Sequence, residues 1–319
     1  MHKKVVVLGG GTGISYLLRG LKDFPVDITA IITVSDNGSS TGKLRKEFNI
    51  PAVGDIRKVI TSLSGIDDPI KKMMSYRFST SSDLNGHAVG NLILTSMLEI
   101  TGSLKDSINC LSKLLDVKHK VLPISEDSNL ILMGVEEDGT IVEGEEQITK
   151  SHRKFERICY KEEPKVLPEV VDAIKDADLI IFSMGSLFTS ILPNIICKQV
   201  KEAINDSKAP LMYLCNAVTQ PGETDNFTVS DHVKMLNSYL DRNIDVVIAS
   251  NTKISKEMAK KYETEEQKEP VEIDYENIEK VGVELIEGDL LTIDDNTLKH
   301  DSLKLSSLIF SLYSFINSI

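Results

Sequence analysis

The chain has 319 residues, 41% hydrophobic and 26% charged, with 48 acidic against 36 basic side chains and a net charge of −12. That length supports a substantial buried core, and a negative chain with no lysine or arginine block argues against a nucleic-acid surface. Cys110, Cys159, Cys197 and Cys215 stand singly with no metal or redox spacing, so reduced, mostly buried thiols of a cytoplasmic protein are expected.

The first apolar run, Val5 to Leu8, is too short for the core of a signal peptide. It runs into Gly9, Gly10, Gly11, Thr12 and Gly13, followed at helical spacing by Ile14, Leu17, Leu18 and Leu21. A strand that ends in glycines and opens a helix aims free backbone N–H groups at an anion and lets it come close. Neither standard phosphate pattern is met: Ile14 stands where a dinucleotide fingerprint needs its last glycine, and no Gly-Lys-Ser/Thr follows.

The second strand, ITAIITV, leads into SDNGSSTGKLRKEF. Here Asp36 is a candidate for holding a ribose hydroxyl or a magnesium ion near phosphates. Asn37, Ser39 and Ser40 add hydrogen-bonding groups, and Arg45 is a candidate partner for phosphate charge. In PAVGDIRKVITSLS, Asp55 is placed to cap a helix, and Arg57 lies one turn inside as a partner for phosphate or carboxylate. A long helical section follows, over about residues 54–116. Within it, NGHAVGNL sets His87 between glycines and beside Asn91, a candidate acid, base or phosphate donor.

Residues 119–160 read as a small β excursion, with Asp138-Gly139 as the hairpin turn. The strand ADLIIF then leads to a second candidate anion-holding turn, Gly185-Ser186-Leu187, with Thr189 as a helix cap or ligand contact. No nucleophile elbow surrounds Ser186. After the strand APLMYL, the uncharged Asn216, Thr219 and Gln220 suit a base or sugar, and IDVVIASN is a further strand. Near the end, Leu305, Leu308, Ile309, Leu312 and Ile316 recur at helical spacing. That stretch is serine-interrupted and shorter than the roughly 20 residues of a membrane span, so it reads as a helix on the body or on the partner of a homodimer.

Short apolar runs alternating with helical patterns predict an open, mostly parallel sheet with helices on both faces, as a single domain over residues 1–319. Ligands in such folds sit beyond the carboxyl ends of the strands, where most of these motifs lie. Their convergence predicts a phosphate-bearing, nucleotide-like ligand.

In this order, GGGTG, GDIRK, GHAVGNL, GSLFTSILPN and TQPGETDNFTVSDHV make the chain resemble the YvcK/CofD-like family along nearly its whole length, the bacterial YvcK branch above all. The resemblance implies a Rossmann-like three-layer α/β sandwich with a small β-hairpin excursion. It implies a cytoplasmic protein that binds UDP-sugars such as UDP-N-acetylglucosamine, with NAD as another ligand. It also implies a role in cell shape and cell-wall integrity during gluconeogenic growth, with no defined reaction. The other branch transfers phospholactate from a guanosine diphosphate-activated donor. The alternative is therefore a transferase, with Mg2+ at Asp36 and Asp55 and an acceptor pocket near His87. An NAD-dependent oxidoreductase ranks last.

The chain departs from the family where Asn37 replaces a second acidic residue, which weighs against a two-carboxylate magnesium site. Ser183 and Met184 stand for a Gly-Pro pair, and Phe188 for a tyrosine. In the family's closing flap, Tyr262 would stack on uracil and Lys299 would meet the diphosphate.

Overall fold

The computed structural model describes residues 2–151, 153–294 and 297–316, with side chains through residue 312. Strands β1 (Lys3–Gly9), β2 (Val26–Ile32), β3 (Lys120–Pro123), β7 (Leu179–Phe182), β8 (Leu211–Leu214), β9 (Val246–Ser250) and β10 (Glu284–Gly288) form one sheet, in the order β10-β9-β8-β7-β1-β2-β3. Every neighbouring pair runs parallel. The reason is visible in the chain: β7 and β8 are unbroken apolar runs buried at every position, which suits strands covered on both faces.

Helix α1 (Gly11–Leu21) follows β1, and α2 (Ser39–Phe48) follows β2. The long helical section resolves into α3 (Gly54–Leu63), α4 (Asp68–Ser75), α5 (Val89–Thr101) and α6 (Leu104–Leu114). The sequence reading places residues 120–123 in the excursion. They instead pair with β2 in the main sheet, where Val121 and Leu122 are buried.

The excursion is built from β4 (Leu132–Glu136), β5 (Ile141–Glu143) and β6 (Phe155–Tyr160), antiparallel in the order β5-β4-β6. The Asp138-Gly139 turn is present, with Gly139 at φ +83°. Beyond a plain hairpin, the excursion adds the strand β6 and the helix α7 (Glu145–Ser151). Phe155 packs near Phe188, ring centroids 6.5 Å apart, which docks the excursion beside the turn after β7.

A hairpin of β11 (Leu291–Asp294) and β12 (Thr297–His300) precedes the last helix, Ser302–Ile316. Leu305 and Ile309 of that helix are buried against the body. Close approach is allowed by Gly20 of α1, where a Cβ would come 2.3 Å from the Ser302 carbonyl oxygen. The side chain of Ile316 lies outside the described residues. Among those described, no helix is long and apolar enough to cross a membrane. Cys197 and Cys215 are buried as expected, but Cys110 is exposed.

Candidate functional site

In the sheet, β1 leads outward to β2 on one side, while its other neighbour, β7, leads outward to β8. The strand order therefore reverses between β1 and β7, and the loops leaving their carboxyl ends flank a topological switch point, where open α/β sheets hold ligands. The two glycine turns stand there and touch. A Cβ on Gly13 would lie 1.9 Å from the Met184 carbonyl oxygen, and one on Gly185 would lie 3.7 Å from that of Gly10. Gly11 at φ +66° and Gly185 at φ +147° adopt backbone that side-chain-bearing residues rarely reach.

Helix α1 opens at Gly11 behind Gly10, which offers no side-chain cap. The first-turn N–H groups therefore have no intrahelical acceptor. One is met across space: Gly11 N donates to Asp55 Oδ2 at 2.5 Å, while Lys58 Nζ holds Asp55 Oδ1 at 2.9 Å. The sequence reading has Asp55 capping its own helix, but α3 starts behind Val53 with no side-chain cap, and Asp55 serves α1 instead.

The second turn is braced more fully. Ser186 Oγ accepts from Thr189 N and from Thr189 Oγ1, at 2.9 and 2.7 Å, so the cap of the π-helical turn Leu187–Ile191 is Ser186 and not Thr189. Ser186 Oγ donates in turn to Glu223 Oε2 at 2.5 Å. Asn216 clamps Gly185 on both sides, accepting from its N–H at 2.9 Å and donating to its carbonyl at 2.7 Å. Leu187 and Phe188 are buried beneath.

Carboxylates gather at this edge. Asp36 Oδ1 accepts from Gly38 N at 2.8 Å. Burial, and then the nearby Asp55, push the Asp36 carboxyl above its ordinary range. Glu145, carried in by α7, is pushed well above its range by burial and then by Asp36 and Asp55, and its Oε2 is sealed from solvent with no hydrogen-bond partner among the described residues. Burial also raises Glu223, against the Ser186 bond that lowers it. Sequence reasoning missed Glu145 and Glu223, since each is an ordinary loop or helix-start acid until the chain folds.

The profile of the CofD family, described as 2-phospho-L-lactate transferase CofD, matches residues 5–291, a span that includes both turns and these acids. The chain belongs to the CofD family. It is 42% identical to the gluconeogenesis factor of Bacillus subtilis, over 97% of this chain and 98% of that one. A gluconeogenesis factor of Halalkalibacterium halodurans is 43% identical, over 96% and 95% of the two chains. A crystal structure of a Bacillus halodurans protein matches with a TM-score of 0.94 at 43% identity, covering 97% of this chain and all of its own.

Beside the two glycine turns of this CofD-family chain runs a buried polar chain from motifs far apart in sequence. Arg57 Nε donates to Asn91 Oδ1 at 3.1 Å, Asn91 Nδ2 donates to Ser40 Oγ at 3.2 Å, and Ser40 Oγ meets His87 Nδ1 at 3.2 Å. His87 is buried within this chain of hydrogen bonds. Ser39 is exposed at the start of α2, at φ +45°. Asn37 faces the excursion, accepting from Glu146 N at 2.8 Å and donating to Gln147 Oε1 at 3.0 Å.

Arg45 meets backbone where the sequence reading offers phosphate. Its guanidinium donates to the carbonyls of Ser35, Asp36, Ser128 and Leu130, tying the Asp36 loop to the segment before β4. Arg45→Ala strands these carbonyls, and urea unfolding should show a loss of about 3 kcal/mol.

The remaining candidates are engaged with other parts of the chain. Thr219 exchanges bonds with Glu269, through Thr219 N to the Glu269 carbonyl at 2.7 Å and Glu269 N to Thr219 Oγ1 at 2.9 Å. Gln220 Oε1 is buried without a partner among the described residues. Tyr262 presents no open face for stacking: it is 4% exposed, and its hydroxyl accepts from Leu298 N at 2.7 Å. Lys299 Nζ is bound to Asp294 at 2.8 Å and sits 5.5 Å from the centre of the Tyr16 ring.

Proposed function

We propose that this CofD-family protein is a sugar-nucleotide-binding regulator in the cytoplasm. It holds a UDP-sugar such as UDP-N-acetylglucosamine and acts in cell shape and cell-wall integrity during gluconeogenic growth. The observation that carries the reading is the contact between the Gly10–Gly13 and Gly185 turns at the switch point. A diphosphate suits that place, because first-turn amides supply hydrogen bonds and partial positive charge. Along the same edge Gln220, whose Oε1 meets no partner among the described residues, suits a base or sugar, while Asn216 and Thr219 brace the backbone beside it. Identity above 40% to gluconeogenesis factors along the whole chain supports the biological role. NAD, which also carries a diphosphate, is the second candidate ligand.

One observation favours the transferase reading. Asp55 stands close enough to Asp36 to raise its pKa, and so supplies a carboxylate that Asn37 does not. Mg2+ is usually held by one or two carboxylates together with substrate phosphates and waters. Among the described residues, no group of three metal-binding side chains is assembled. Asp36 and Asp55 therefore fit the ion only with nucleotide phosphates completing its shell. There it would neutralise the phosphates against Asp55, which otherwise faces them at the start of α1.

Calorimetry with UDP-N-acetylglucosamine, NAD and GDP, each with and without Mg2+, tests both readings. UDP-sugar binding without turnover is the expected result. GDP binding that requires Mg2+, with product formed from an activated donor, would replace the regulator by the transferase. Binding of none of the three would remove both.

A further inference from the structure

Two concavities outside the switch point differ in character. The one of about 640 Å³ covers the amino-terminal ends of the first strands and mixes Lys4, Lys105 and Lys120 with Asp27, Glu169 and Asp176. Its charges offset one another, and nothing in it selects a ligand.

The other, about 600 Å³, lies between α1, α3 and α4 and has the opposite character. Arg19, Lys22, Arg57, Lys58, Lys71 and Lys72 line it, against a single carboxylate, Asp68. This concentration of positive charge sits in a chain whose net charge is −12. Few of these groups are held in ion pairs. Lys58 pairs with Asp55 towards the nucleotide site, and Lys71 reaches Asp68 only at 4.0 Å, where the Asp68 side chain is 85% exposed. An ion pair so exposed contributes little. Among the described residues, Arg19, Lys22, Arg57 and Lys72 form no salt bridge.

The groove is also built. Lys22 Nζ is fixed by the carbonyls of Ser62 and Ser64, at 3.0 and 2.8 Å. Arg57, 5% exposed, is held by the neutral Asn91 and Ser75. Burial, and then Arg77, lower its pKa to about 10. Burial and then Lys71 likewise lower that of Lys22. Like charges held this close repel one another until an anion enters. Tyr16 adds an aromatic wall, with the Arg19 guanidinium 5.1 Å from its ring centre.

We propose that this groove is a second ligand site, for a small molecule bearing two or more phosphoryl groups. It goes beyond the UDP-sugar reading, adjoining that site at Thr12 and Arg57 and running away from it. It begins at Thr12, and its far end at Lys22 lies about 15 Å further along α1 at 1.5 Å per residue. A diphosphate held at the glycine turns does not span that distance.

The test uses inorganic pyrophosphate as the probe, in calorimetry on the full chain and on Lys71→Glu/Lys72→Glu. Both lysines sit on the surface of α4, away from the core, and circular dichroism checks that the fold is kept. The double variant is expected to bind pyrophosphate at least about tenfold more weakly, because two attractive charges become repulsive. Lys72→Gln should give a smaller loss in the same direction. UDP-N-acetylglucosamine binding should be unchanged in both variants. Equal pyrophosphate affinity in wild type and double variant, or no binding by wild type, overturns the proposal. So does an equal thermal shift from sodium chloride at matched ionic strength. If wild type fails to bind UDP-N-acetylglucosamine, the nucleotide reading falls and the pyrophosphate comparison still decides the groove.

Discussion

Gly13→Ala is expected to lower stability by about 1–3 kcal/mol, the range for overpacking, and to abolish UDP-N-acetylglucosamine binding. Gly13 lies within the first turn of α1. On helix propensity alone, alanine there would stabilise by about 1 kcal/mol. The contact reverses that sign. The new Cβ would stand 1.9 Å from the Met184 carbonyl oxygen and 2.6 Å from its carbon, and these are backbone atoms, not a mobile side-chain tip. Relief requires the β1 loop and the β7 loop to move apart, and their contact is what would assemble the proposed anion site. Urea unfolding and calorimetry on the same variant read both effects. A variant more stable than wild type would show that the turns do not press on one another. Normal binding in a destabilised variant would show that their spacing does not matter to the ligand.

The second large effect concerns Glu145. Its carboxyl is pushed well above the ordinary range by burial and by Asp36 and Asp55, so the folded chain binds that proton more tightly than the unfolded chain. Stability then falls as pH rises from the ordinary glutamate range, near 4.3, through the raised folded value. Above both values the carboxylate is charged in both states, and the cost of holding that charge half-buried beside Asp36 and Asp55 is present. Glu145→Gln removes the charge and keeps the shape. Its Tm should match that of wild type near pH 4 and exceed it by about 2 °C or more at pH 8. Thermal melts of both proteins across that range decide the point. A difference that stays flat with pH, or a variant less stable at pH 8, would mean that Glu145 is charged and well paired in the fold. In the transferase reading, Mg2+ raises the wild-type melting point at pH 8 and narrows the gap.

The sequence by itself determined the strands that are buried on both faces. KVVVLG, ADLIIF and APLMYL are legible because burial on two sides demands unbroken apolar runs, and the glycines after β1 and β7 mark turns that bulkier residues resist. β10 escapes that reading, since Glu284 and Glu287 are exposed along an edge strand and interrupt the pattern. β3 hides its short length beside the excursion.

Only the tertiary structure decided which polar groups meet. Asp55 caps α1 and not its own helix, Arg45 braces carbonyls, Tyr262 turns inward, and Glu145 and Glu223 join Asp36 at one rim. Basic residues dispersed over three helices likewise become a single groove. The physical reason is that apolar periodicity is a local property of the chain, written every two or three to four residues. A carboxylate's partner or a guanidinium's acceptor is set by which loops the strand order brings side by side, and no local pattern records that.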